Sequence, residues 1–157
     1  MDGHNFERLK THILGLSVSS NFDVARLEWS LAAIEVSEEF DQCPCGKDIK
    51  EHCYIRNSRN GNQTYVGNVC INRFLQIETG NLFDGLKRIA SNPKANANQD
   101  LIEYAWKMGY LYGEKEYNFL IQTMRKRTLS PSQIAWKEKI NRRIVQQSVV
   151  KHRSVRH

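Results

Sequence analysis

Apolar and polar positions alternate along this chain with two different periods, and the change of period marks out its parts. Phe6, Leu9, Ile13 and Leu16 recur at three- and four-residue spacing, which predicts a short helix over residues 5–16. Asn21 is a good N-cap before Phe22, Val24, Leu27, Leu31 and Ile34, so a second helix is expected from there to about Glu38. From Phe40 the texture changes. Apolar and polar residues interleave, and Asn60-Gly61 supplies a strong two-residue hairpin signal, because a type I′ turn needs positive φ at both positions. This predicts strands over residues 51–57 and 63–66.

The helical period returns after Gly67 with Cys70, Ile71, Phe74 and Leu75, and again with Leu82, Phe83, Leu86 and Ile89. The polar stretch 91–98 reads as an internal linker. Beyond it Leu101, Ile102, Ala105 and Trp106 form one helix, and Tyr117, Leu120, Ile121 and Met124 another. Ser130-Pro131 opens the last helix, with Ile134, Trp136, Ile140, Ile144 and Val145 as a narrow apolar stripe. The expected fold is therefore α+β and mainly α-helical, with one β-hairpin module between helical segments. Its expected parts are N-terminal helices over 1–39, the hairpin and helix module over 40–79, a helical region over 80–150 and a basic tail over 151–157.

At 157 residues, 40% hydrophobic and 25% charged, the chain has the composition of one ordinary folded protein. Its apolar runs are too short for a membrane span, and no basic-then-apolar leader opens it, so a cytoplasmic location is the default expectation. The net charge of +6 is unevenly spread: residues 1–120 carry 13 Lys and Arg against 16 Asp and Glu, and residues 121–157 carry 10 against one acid, Glu138. Arg125, Lys126, Arg127, Lys137, Lys139, Arg142 and Arg143 lead this basic segment, and Lys151, Arg153 and Arg156 close it. Such density attracts polyanions. Arg56 and Arg59 on the hairpin, with Asn57, Asn60, Asn62 and Gln63, are further candidates for contacts to phosphate and bases, and Tyr54 and Tyr65 either stack on bases or pack on the helix of Phe74.

All four cysteines lie between residues 43 and 70. Cys43 and Cys45 flank Pro44 and precede Gly46, a turn tight enough to aim two thiolates at one point. Cys53 falls on the first hairpin strand and Cys70 at the start of the following helix. Four thiolates in a tetrahedral array select zinc and leave no open position, so one structural zinc is expected, held by Cys43, Cys45, Cys53 and Cys70. His52 is the alternate third ligand, since neighbouring strand residues face opposite sides and only one of the two can reach the metal. Disulfides, buried free thiols and an iron–sulfur cluster are the competing uses of these residues. Lys47, Lys50, Arg56 and Arg73 are the cations placed to offset the thiolate charge.

The stretch from Cys43 to Phe74 resembles a zinc-finger motif of small proteins encoded by bacteriophages and bacteria. The matching positions are Cys43, Cys45 and Gly46, then Ile49, Ile55 and Asn57, then Val66, Gly67, Cys70, Ile71 and Phe74. The order resembles a treble-clef finger, with a Cys-x-Cys knuckle in place of Cys-x-x-Cys and one helical cysteine in place of two. The resemblance implies zinc and a phage or mobile-element origin, hence a bacterial host cytoplasm, and no particular activity. Treble-clef frames also host nucleases, but no second histidine or His-Asn pair lies between Val66 and Phe74, where such a motif would continue, and catalytic residues are not expected. Two functions follow as expectations. The first is a zinc-stabilised nucleic-acid-binding protein, of DNA or RNA, acting through the basic C-terminal helix. The second is a non-enzymatic adaptor or inhibitor that docks an acidic host protein through Trp136, Tyr110 and Tyr112.

Overall fold

The computed structural model describes residues 3–150. The elements in chain order are α1 (Gly3–Gly15), α2 (Phe22–Ala25) with a 3-10 turn over Arg26–Glu28, β1 (Trp29–Gln42), β2 (Asp48–Asn57), β3 (Gln63–Gly67), α3 (Asn68–Leu75), α4 (Gly80–Ser91), α5 (Gln99–Met108), α6 (Glu114–Thr123) and α7 (Pro131–Gln146). The fold is α+β and mainly helical, with one antiparallel sheet of order β1-β2-β3. The chain divides into two compact units at Gly80/Asn81. No helix among the described residues is long and apolar enough to cross a membrane. The expectations for the basic tail, residues 151–157, lie outside the described residues.

The expected helix from Asn21 to Glu38 is corrected to one helical turn followed by a long strand. Asn21 does cap, accepting the Val24 N–H at 3.2 Å, but the chain is extended from Trp29 onward. Pairing with β2 overrides local helix preference here. Trp29 lies opposite Asn57 and Ile34 opposite Cys53, and a bulge between Leu31 and Ala33 shifts the phase. That bulge makes Leu31 and Ile34 imitate a helical three-residue spacing. Leu27, which would share such a face, is 80% exposed.

The first unit builds its core on one face of the sheet. Cys53 and Ile55 on β2 and Val66 on β3 are fully buried, and α3 packs against both strands. Helix α1 supplies Leu9 and Ile13, both buried, and His12 Nε2 lies 2.8 Å from Thr64 Oγ1 across to β3. Glu28 locks the edges together: its carboxylate accepts the N–H groups of Val18 and Ser19 at 2.8 and 2.9 Å and the Asn57 amide at 2.8 Å.

The second unit is helical, with Phe83, Ile89, Leu101, Ile102, Leu120, Ile140 and Ile144 buried. Asn98 caps α5 through the Leu101 N–H at 2.9 Å, and Gly85 makes room for it, since a Cβ there would stand 2.7 Å from Asn98 Oδ1. The polar stretch 91–98 is a loop within this unit rather than a linker. Asn141 ties it to α7 by donating to the carbonyls of Pro93 and Ala95 at 2.8 and 2.7 Å. The last helix opens as expected, with a capping box between Ser130 and Gln133 and Pro131 in its first turn.

Candidate metal centre

Three elements aim sulfur at one point. The turn between β1 and β2 is closed by Gly46 N–H to the Cys43 carbonyl and Cys43 N–H to the Lys47 carbonyl, both 2.8 Å. Gly46 sits at φ +103°, in the left-handed region that favours glycine. This curl places Cys43 and Cys45 side by side. Cys70 comes from the first turn of α3, whose start is fixed where Gly67 ends β3. Gly67 is needed for close approach: a Cβ there would lie 2.9 Å from Ile49 Cγ2.

The Sγ atoms of Cys43, Cys45 and Cys70 all lie within 4.8 Å of one another, and all three residues are buried. Cys43 Sγ and Cys70 Sγ are 3.6 Å apart, and the Gly67 N–H donates to Cys43 Sγ at 3.4 Å. Hydrogen bonding with Cys70, opposed by burial and aided by the Cys45 and Gly67 backbone N–H groups, holds the Cys43 thiol below the ordinary thiol range. Its interaction with Cys43 pushes Cys70 upward. A cluster with one readily ionised thiol and backbone donors aimed at its sulfur is suited to a thiophilic cation. The three-cysteine group could hold a metal ion.

Cys53 is fully buried opposite Val66 but does not belong to the group whose ligand atoms all lie within 4.8 Å. Burial pushes its thiol up to about 12, with the Thr79 hydroxyl pulling the other way and the charges of Glu51 and Cys43 adding smaller rises. His52 is not brought to the cysteines. It faces the other side of β2, as strand alternation requires. Its Nε2 lies 2.9 Å from Asp41 Oδ2, and its ring sits between Tyr65 and Tyr54, with centroids 4.9 and 6.0 Å away. The two tyrosines therefore do not pack on the helix of Phe74. Tyr54 donates to Glu35 Oε1 at 2.5 Å and Tyr65 to the Gln42 carbonyl at 2.9 Å.

The sequence-predicted cations divide into two groups. Arg125, Lys126, Arg127, Lys139, Arg142, Arg56 and Arg59 are exposed. Lys137 and Arg143 are corrected: neither is a surface cation. Lys137 is 1% exposed and donates to Asn96 Oδ1 and to the Thr123 carbonyl. Arg143 is held in an ion pair with Glu116 and lies over the Tyr112 ring at 4.5 Å. On the hairpin, Asn60 and Asn62 both donate their side-chain amides to the Leu16 carbonyl at 2.9 Å, and Asn57 Oδ1 accepts the N–H groups of Arg59 and Asn60. These amides hold the turn and are not free to read bases. Trp29 is buried, whereas Trp106 and Trp136 are partly exposed, Trp136 stacking on Phe119 at 4.2 Å.

Sequence reasoning did not single out Arg8. Its guanidinium lies on the knuckle turn, with Cζ and Cδ 3.5 and 3.7 Å from where a Gly46 Cβ would stand, and Nη1 would overlap that Cβ outright. A shallow groove beside it is lined by His4, Glu7, Arg8, Thr11, His12 and Pro44. The His4, Arg8, His12 spacing of four residues was the one signal in the sequence that these side chains share a helix face.

No family model, curated protein or solved structure matches this chain.

Proposed function

We propose that the chain is a zinc-stabilised, non-enzymatic nucleic-acid-binding protein of phage or mobile-element type, and that it grips phosphates without reading sequence. The zinc is held by Cys43, Cys45 and Cys70, with Cys53 moving in as the fourth ligand, and its role is to staple a hairpin module too small to fold on its own core. The observation that carries the binding assignment is the exposure of Arg125, Lys126 and Arg127 on the connection between α6 and α7. Lys139 and Arg142 on α7 extend this cationic set, Arg142 also pairing with Glu138 at 2.6 Å. Sequence-independent contact is favoured because three of the four hairpin amides that would read base edges, Asn57, Asn60 and Asn62, already make hydrogen bonds within the hairpin and to Leu16 and Glu28.

The test is binding of labelled single- and double-stranded DNA and RNA across a salt series, for the full chain and for a variant carrying Arg125→Gln, Lys126→Gln and Arg127→Gln. Affinity should fall steeply with salt, and the variant should lose about two to three units of the log–log salt slope. Absence of binding to all four at low salt overturns this reading. The partial exposure of Trp106 and Trp136, 41% and 36%, supports the second one, docking of an acidic protein. Recovery of one stoichiometric, nuclease-resistant partner would favour it.

A further inference from the structure

A cation that folding brings to the glycine turn beside Cys45 needs a reason to be there. Arg8 belongs to α1, and α1 is seated by its own apolar residues, Leu9 and Ile13. Its guanidinium nevertheless lies along Gly46 of the knuckle, next in sequence to Cys45. It makes no ion pair with a carboxylate among the described residues; the nearby acid Glu7 pairs with Lys10 at 3.5 Å instead. Of the other cations expected around the thiolates, Lys47, Lys50 and Arg56 are engaged elsewhere or face solvent, whereas Arg73 keeps a buried Nη1 without a hydrogen-bond partner. Lys50 lies over the Phe40 ring at 4.7 Å and Arg73 over the Phe6 ring at 4.8 Å, Lys47 is exposed, and Arg56 shares the sheet face opposite Cys53.

Resting on the metal reading above, we infer that Arg8 is the counter-cation of the Cys43/Cys45/Cys70 centre, so that metal loading and the seating of α1 on the knuckle support each other. Three or four thiolates around a divalent cation leave a net charge of −1 or −2, buried and poorly screened. A guanidinium is permanently charged and weakly hydrated, which suits it to lie flat against a glycine turn beside such a charge. A side chain at position 46 would displace it, which gives Gly46 a second role besides its positive φ. Arg8 touches no metal in this scheme. It is a positioning residue that acts through the thiolates.

The experiment is a zinc competition titration against a chromogenic chelator, with the full chain as wild type and as Arg8→Met, Arg8→Gln and Arg8→Lys, at about 20 mM and about 500 mM salt. The neutral variants should bind zinc roughly five- to tenfold more weakly at low salt, and the deficit should shrink to about twofold or less at high salt. Arg8→Lys should stay within about twofold of wild type. Met and Gln replace the guanidinium with different stems, so either one that keeps its helical circular dichroism suffices. Neutral variants that bind as tightly as wild type, or whose deficit ignores both salt and the lysine rescue, overturn the proposal. Wild-type protein that takes up no zinc overturns the metal reading and this inference together, whereas zinc uptake indifferent to Arg8 sinks the inference alone.

Discussion

Arg143 and Glu116 form a two-pronged ion pair inside the second unit, with Nη1 2.7 Å from Oε1 and Nη2 3.2 Å from Oε2. Their side chains are only 12% and 10% exposed. Burial alone would raise the Glu116 pKa, but the Arg143 hydrogen bond, the Tyr112 N–H and the Arg143 charge outweigh it and leave the carboxyl lowered. Arg143 also donates to the Tyr110 carbonyl at 2.9 Å. One side chain thus joins α7 to the start of α6 and to the segment before it.

Removing either partner strands the other as a buried charge, so Arg143→Ala or Glu116→Ala should each cost about 2–4 kcal/mol of stability. The double variant should cost less than the sum of the two. Urea unfolding of the four proteins measures this directly. Polyanion binding of folded Arg143→Ala should stay near that of wild type, in contrast to the variant neutralised at Arg125, Lys126 and Arg127. A salt slope lowered as much by Arg143→Ala as by that variant would show Arg143 to be a phosphate contact after all.

This pair also shows what could be read from the sequence and what could not. Local signals were legible: the hairpin marked by Asn60-Gly61, the caps at Asn21 and Ser130, and the periodicity of α3 to α7 each depend on residues within one element. The hairpin connection itself is corrected: it spans residues 58–62 with positive φ at Gly61 and not at Asn60, so it is not the expected two-residue type I′ turn. The convergence of Cys43, Cys45 and Cys70 was legible too, because a tight turn and a helix start at the end of a hairpin leave little freedom. The partners of charged residues were not. Arg143 and Lys137 lie in a run of cations that looks uniform in the sequence, and only the packing of α6 and the 91–98 loop against α7 decides which of them are buried. The strand at Trp29 was hidden for the related reason that the partner of Trp29 is Asn57, far along the chain on β2, and its bulge imitates helical spacing. Arg8 reaches the knuckle from a helix that nothing in the sequence ties to Gly46.

Lys137 should make stability rise with pH in the mildly alkaline range. Desolvation lowers its pKa from the model-peptide value of 10.5 to about 8. Below about pH 8 both folded and unfolded chains carry the charge, and the folded state bears the full cost of burying it. Between about 8 and 10.5 the unfolded chain binds more protons, so raising the pH favours folding, and above that window the effect is flat. Wild type should therefore gain about 2 kcal/mol relative to Lys137→Met across this interval, a figure kept below the full shift because Asn96 Oδ1 and the Thr123 carbonyl accept from the ammonium and support its charged form. Chemical denaturation at pH 7, 8, 9 and 10 checks it. A difference between the two proteins that does not change with pH would mean that Lys137 keeps an ordinary pKa in the fold.

The four cysteines should not respond alike to substitution. Cys43, Cys45 and Cys70 already present their sulfurs within 4.8 Å of one another, so replacing any of them with serine removes a ligand from the preformed set. Each such variant should lose at least about a hundredfold in zinc affinity, on the general ground that a structural site depends on all its thiolates. Cys53 starts outside that set and must give up a thiol proton that burial holds tightly, so part of its binding energy is spent in joining. Cys53→Ser should weaken binding by a smaller factor, on the order of tenfold, because the three remaining thiolates still hold the ion. Cobalt(II) substituted for zinc reports the thiolate count through its sulfur charge-transfer band, which should drop by about a quarter in Cys53→Ser if four sulfurs bind the ion in wild type. An unchanged band with unchanged affinity would assign Cys53 to the core and leave the fourth position to another donor. Equal losses in all four variants would mean that the metal draws Cys53 into the site as firmly as the other three.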